Sequence, residues 1–157
     1  MYFRSCIHKI PFARLSGSSA SHSPSSVTAL AQSPAIDVLG VGFASGEISI
    51  YDIRADEKMM RRIFVREGPV RALAFRGGKR GPSIYNFTKL LYFADGHPAL
   101  ASASETGHIS LWDLGSGGRL LHTVRGAHDG SISALQWIPG QPLLISSGDD
   151  NSVKVCV

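Results

Sequence analysis

An all-β fold assembled from repeated units is what this sequence predicts, and three observations predict it. Short apolar runs recur and close on an aromatic-acid pair or its counterpart: Ile48-Ser49-Ile50-Tyr51-Asp52, Ile109-Ser110-Leu111-Trp112-Asp113 and Val153-Lys154-Val155-Cys156-Val157. Each is preceded by a turn fit for positive φ, namely Ser45-Gly46, Thr106-Gly107 and Asp150-Asn151. The spacing also repeats: the step from first to third run is 21 from Val27 to Ile48 and again 21 from Ile132 to Val153. Repeats of about 40–45 residues that close on Trp-Asp mark the blades of a β-propeller.

The elements follow in order. First strands begin at Val27, Val70 and Ile132, and second strands at Val38-Leu39-Gly40-Val41, Leu100-Ala101-Ser102-Ala103 and Leu143-Leu144-Ile145-Ser146. Gly, Pro, Asp and Ser bound them, as strand ends require. Lys58 to Val65 and Arg119 to Val124 mix polar with apolar residues, which suits outer, more exposed strands. The middle copy departs from the arithmetic, with a step of 39 from Val70 to Ile109 and hence an excess of 18. The segment 77–94 accounts for it, mixing Gly77-Gly78-Lys79-Arg80-Gly81-Pro82 with an apolar tail. Three readings stand for that insert: a loop projecting from a blade rim, an aggregation-prone excursion, or translated intron sequence.

The expected organisation is a WD40-type β-propeller fragment of about three blades with its ring not closed. Residues 1–26 form a Ser-rich basic segment, 27–66 the first blade, 67–125 the second with its insert, and 126–157 a truncated third. Rings need roughly 4–8 blades, so this length predicts part of a larger propeller. Before Asp37 there is no acidic residue, a composition shared with mitochondrial transit peptides. The same residues also read as the end of a preceding blade, with Cys6-Ile7-His8-Lys9-Ile10 as its outer strand.

Net charge is +4, which permits a nucleic-acid partner without requiring one. Nine of the sixteen basic residues lie between Arg54 and Arg80, among them Lys58, Arg61, Arg62 and Arg66. Arg54, Lys58, Arg61, Arg62 and Arg66 are therefore candidates for contact with RNA or an acidic partner, set against the plainer reading of a solvated outer strand. Cys6 and Cys156 sit at opposite ends and make no disulfide framework. No run approaches the ~18–20 apolar residues of a membrane span, so no membrane partner is expected.

The chemistry-bearing residues argue for structure rather than catalysis. His128, Ser146 (or Ser147) and Asp150 have the composition of a hydrolase triad. In WD-repeat blades, which these units resemble, a His before the first strand, a Ser or Thr on the second, an Asp in the turn and a Trp on the third form a buried hydrogen-bonded set. By that resemblance His128, Ser146 and Asp150 are structural, as are Trp112, Asp113, Tyr51 and Asp52, while Cys156 stands at a Trp position. The first two copies carry Ser45 and Thr106 at the Asp position and lack the His, so packing is expected to hold them. The six histidines show no metal-ligand spacing, and Gly77-Gly78-Lys79 lacks the length of a phosphate loop. No enzyme, cofactor or small-molecule substrate is expected.

More specific phrases accompany the repeat: Val27-Thr28-Ala29-Leu30 with Ser33-Pro34-Ala35-Ile36-Asp37-Val38, Gly68-Pro69-Val70, and Phe75-Arg76 resumed by Asp95-Gly96-His97-Pro98. Gly107-His108-Ile109 then leads to Trp112-Asp113-Leu114, and Ala127-His128 precedes Pro142-Leu143-Leu144 and Gly148-Asp149-Asp150-Asn151. In this order they resemble the WD-repeat protein of the small-subunit processome, the subunit twenty-one type of the U3 small nucleolar RNA-associated proteins. The resemblance implies two tandem propellers and a helical C-terminal domain in the full-length members, membership of the UTP-B subcomplex, and a nuclear, nucleolar location. It implies a non-enzymatic scaffold in small-subunit ribosomal RNA processing, with other WD-repeat processome proteins, U3 RNA or pre-ribosomal RNA as partners. The rival reading is a WD-repeat substrate receptor for a cullin-type ubiquitin ligase, since Tyr51-Asp52-Ile53-Arg54 approximates the Trp-Asp-x-Arg of such receptors. An unrelated WD-repeat interaction scaffold also fits the repeat.

Overall fold

The computed structural model describes residues 25–33, 38–53, 58–77, 100–114 and 117–156. The expected outer strand at Cys6–Ile10, Arg54 and the insert beyond Gly77 lie outside them. Eleven strands form three antiparallel sheets. Blade one is β1 (Val27–Gln32), β2 (Val38–Phe43), β3 (Glu47–Asp52) and β4 (Lys58–Phe64), and blade two is β5 (Val70–Phe75), β6 (Leu100–Ser104), β7 (Ile109–Asp113) and β8 (Arg119–Val124). Blade three is β9 (Ile132–Trp137), β10 (Leu144–Gly148) and β11 (Val153–Cys156). Strand order in each sheet follows chain order. β1 lies beside β5 and β5 beside β9, so the three sheets fan from their first strands as an open propeller arc.

The repeat holds down to its irregularities. β1 and β5 shift register at the same place, between Val27 and Ala29 and between Val70 and Ala72. β3 and β7 do so between Ile50 and Tyr51 and between Leu111 and Trp112. One backbone bond recurs in every blade, from the turn before the third strand to the residue before the first: Ala44 N–H to Ser26 O, Glu105 N–H to Pro69 O, and Asp149 N–H to Ser131 O. These clips join residues 18, 36 and 18 positions apart, so the excess of 18 lies between β5 and β6 without disturbing the ladder.

Each junction between blades is a face of small residues receiving bulky ones. On the face of blade one turned toward blade two, Ala29, Ile48 and Ile50 pack with Val70, Leu73 and Phe75. Gly40 and Gly42 complete that face, and a Cβ at Gly42 would stand 2.6 Å from Val70 Cγ1. At the next junction Ala72, Ala74, Ala101, Ala103 and Ile109 meet Ile132, with Leu135 and Trp137 packed alongside. The second strands of blades one and two are buried on both faces, β6 at all five positions and β2 at five of six, which is why their runs read as continuous rather than alternating. Burying one Ile such as Ile48 or Ile109 stabilises the arc by about 1.5–3 kcal/mol.

The turns before the third strands have the anticipated backbone. Gly46 and Gly107 have φ of 82° and 77°, and Asn151, at the matching position, has φ of 58°. Crowding adds to conformation at Gly107, where a Cβ would fall 2.0 Å from the carbonyl oxygen of His128 in the loop that opens blade three. His128 N–H in turn donates to Gly107 O. The Gly46 and Gly107 turns are thus seated against the loops that lead into the next blade.

Candidate interaction surface

The His-Ser-Asp set of blade three assembles as one hydrogen-bonded chain. β10 brings Ser146 to the interior, the following turn supplies Asp150, and His128 enters from the loop before β9. His128 Nδ1 lies 2.8 Å from Asp150 Oδ1 and Nε2 lies 2.8 Å from Ser146 Oγ. Asp150 also accepts from Ser152 Oγ at 2.7 Å and from the Asp129 backbone at 3.2 Å. The His128 bond, followed by that from Ser152, holds the Asp150 carboxyl well below the usual carboxylate range. His128 and Ser146 are buried to 2% and 1% exposure, so the serine is closed off from any substrate. A Cβ on Gly148 would stand 2.6 Å from His128 Nδ1, so glycine there makes room for the ring.

Blades one and two solve the same problem with other groups. In register, Ser102 and Val41 occupy the Ser146 position, and Trp112 and Tyr51 the Cys156 position. Trp112 Nε1 donates to Ser102 Oγ at 2.8 Å in the interior of blade two, and Thr106 Oγ1 donates to Glu67 O at 3.0 Å. Blade two is therefore locked by hydrogen bonds as well as by packing, a correction to the expectation of packing alone. The signal was present in the sequence as the serine at the register position of Ser146. In blade one Val41, Phe43 and Tyr51 form a buried apolar cluster. Burial pushes the Tyr51 phenol up to about 12, the Ser49 hydrogen bond opposing it.

Among the described residues the basic stretch does not form one patch. β4 carries the chain across the blade, so Lys58 opens one end of the sheet and Arg66 follows the other, seven residues of strand and about 20 Å away. Arg54 lies outside the described residues. Arg61, half-buried, reaches across to blade two, where its Nη1 would stand 3.5 Å from a Cβ on Gly117. Arg62 pairs with Glu47 at 3.0 Å and sits over the Phe64 ring at 6.0 Å. Arg66 is exposed. Two further arginines stand near the blade junctions: Arg71 is 3.9 Å from Glu105, and Arg76 lies over Trp137 at 5.8 Å. Of the five contact candidates, Arg66 is the one whose side chain is both described and exposed.

Among the described residues no group of three or more His, Cys, Asp or Glu is placed to hold a metal ion. No described helix is long and apolar enough to cross a membrane. The described polar groups of the blade interiors are spent on holding strands and turns together.

The WDR36/Utp21 first beta-propeller family matches residues 3–157. The chain belongs to that family. Human WD repeat-containing protein 36 is 35% identical over 132 residues, a match covering 83% of this chain and 12% of the human protein. The U3 small nucleolar RNA-associated protein 21 homolog of Schizosaccharomyces pombe is 36% identical over 128 residues, covering 82% of this chain and 12% of that protein. The match thus spans about an eighth of these WDR36/Utp21 relatives. A chain of the mitotic checkpoint complex crystal structure superposes with a TM-score of 0.66 at 22% identity, covering 87% of this chain and 35% of that one. That likeness shows the propeller fold alone.

Proposed function

We propose that this WDR36/Utp21 chain serves as part of a non-enzymatic propeller scaffold in small-subunit ribosomal RNA processing, in the nucleolus. The observation that carries the reading is the family match across residues 3–157, together with relatives named for association with the U3 small nucleolar RNA. The blades are 27–66, 67–125 and 126–157, with 77–94 as an insert, and their hydrogen-bonded sheets offer a preformed surface. Rigid surfaces of this kind bind partners without large ordering costs. Other WD-repeat processome proteins are the partners of the blade surfaces. RNA phosphates are met by Arg66 at one rim, with Arg54 and Lys58 of the basic stretch as further contact candidates.

The test is to tag the gene at its own locus, purify the product and identify what accompanies it. U3-type small nucleolar RNA and other propeller subunits are expected. Recovery of a cullin-ligase adaptor instead, or of neither set, overturns the reading. Arg66→Glu is expected to lower RNA retention and flatten its salt dependence, since each phosphate contact contributes to the slope.

A further inference from the structure

The outer wall between blades one and two carries a notch bounded by two complete four-stranded sheets, with β4 and β8 as their outermost strands. Arg61 stands opposite Ile50 and Leu120 opposite Trp112, and both Ile50 and Trp112 belong to the core between these blades. Arg61 and Leu120 therefore face the junction, at its solvent edge. The turn into β8 passes beside them with no side chain of its own, Gly117 and Gly118 having φ of 88° and 78°. A Cβ on Gly118 would stand 3.2 Å from Arg61 Cδ, and one on Gly117 would meet Arg61 Nη1 alone, at 3.5 Å. The stem of Arg61 thus lies along the turn, with its guanidinium at the opening. Its sequence neighbour Arg62 turns to the other face and pairs with Glu47 at 3.0 Å. Among the described residues no carboxylate pairs with Arg61. Leu120 is 44% exposed although Trp112, across the ladder from it, is buried to 5%.

We propose that this notch takes an extended acidic segment of a partner protein, a carboxylate meeting Arg61 and an apolar side chain covering Leu120. The guanidinium is held along its stem, so a carboxylate gains a charge-assisted contact without first ordering a free side chain. Leu120 lies two residues beyond Gly118, about 7 Å along the strand. Residues i and i+2 on one face of an extended chain have that same separation. The pattern recognised is therefore acidic-x-apolar. One seated guanidinium beside an exposed leucine suits such a segment better than a phosphate backbone, which is met by several exposed cations. The inference is independent of the role in RNA processing.

Chemical-shift titration of the 157-residue chain tests it, with circular dichroism to check that each variant keeps its sheet. The probe is a peptide carrying Glu-Thr-Leu in an extended, Thr- and Val-rich context. Saturable shifts are expected at residues 60–63 and 117–121. Glu exchanged for Gln in the peptide, or Arg61→Gln in the chain, should weaken binding about tenfold, the loss of one charge-assisted contact. Arg61→Glu should transfer the preference to a peptide carrying Lys-Thr-Leu. Leu120→Ser should weaken binding of the first peptide, and because Leu120 is exposed this variant decides should the Arg61 variants lose their sheet signal. No saturable shift at the notch overturns the proposal, as do equal affinities for the Glu and Gln peptides. A uridine dodecamer that binds there through Arg61 more tightly than the peptide overturns it in favour of RNA.

Discussion

Blade three closes its turn with polar groups, His128 bridging Asp150 and Ser146 at 2.8 Å each, whereas blade one fills the same space with Val41, Phe43 and Tyr51. The two cores sit at matching places in the repeat and share a backbone clip, Asp149 to Ser131 and Ala44 to Ser26. What differs is how each responds to its surroundings. The hydrogen-bonded set is directional and holds a carboxylate that titrates in acid, while the apolar cluster depends on volume and titrates only through the Tyr51 phenol in alkali. Blade two lies between them, keeping the Trp112–Ser102 bond of the polar type with no histidine in the set.

Substitutions can break that comparison. Tyr51→Ala should cost the most, about 4 kcal/mol, because a large fully buried ring leaves a cavity that the strands cannot close. His128→Ala should cost about 3 kcal/mol, since Ser146 is left unpaired in the interior and the ring's volume is lost with it. Urea midpoints would check both. Equal and small losses at the two sites would erase the distinction between the blades.

Opposite pH limits should sharpen it. The Tyr51 phenol is raised from 10.0 to about 12 by burial, so its contribution is complete below pH 10.0 and is lost as pH rises toward about 12. Asp150 is depressed below its ordinary 3.8, so its contribution is complete above that value and is lost as pH falls further. Asp150→Asn should remove part of the acid sensitivity and leave the alkaline limb unchanged, as followed by circular dichroism across both limbs.

Smaller effects lie in blade two and at the vacant aromatic position. Trp112→Phe keeps the ring and strands the buried Ser102 hydroxyl, for a loss of about 1–2 kcal/mol in the same urea titration. Cys156→Trp places an indole where Trp112 stands in the neighbouring sheet and should raise the midpoint by the equivalent of about 1 kcal/mol, the worth of one added hydrogen bond. No gain there would mean that His128 already saturates Ser146.

The fold was legible because its signals are local and periodic. Steps of 21, glycine or asparagine before each third strand, and the mixed polar and apolar runs of β4 and β8 are all readable from strand composition and turn chemistry. The His128–Ser146–Asp150 set was legible by resemblance to WD-repeat blades, its members being separated by turns of fixed length. The Trp112–Ser102 bond required aligning second strands by register, which places Val41, Ser102 and Ser146 together. Gly40 and Gly42 gave no local cue, since what they meet is Phe75 and Val70 of the next blade. The basic stretch misleads for the converse reason: neighbours in sequence are separated by the length of a strand, and Arg61 and Arg62 turn to different partners.

The recurring clip between turn and first strand carries one more implication. It joins residues 18 positions apart in blades one and three and 36 apart in blade two, a doubling. Loop-closure entropy grows only with the logarithm of length, so the doubling costs about 0.6 kcal/mol. A mutation that lengthens or shortens the stretch between β5 and β6 is thus nearly invisible to selection acting on stability. Homologous chains can drift in length at that site, and a change in splicing there would leave the propeller standing.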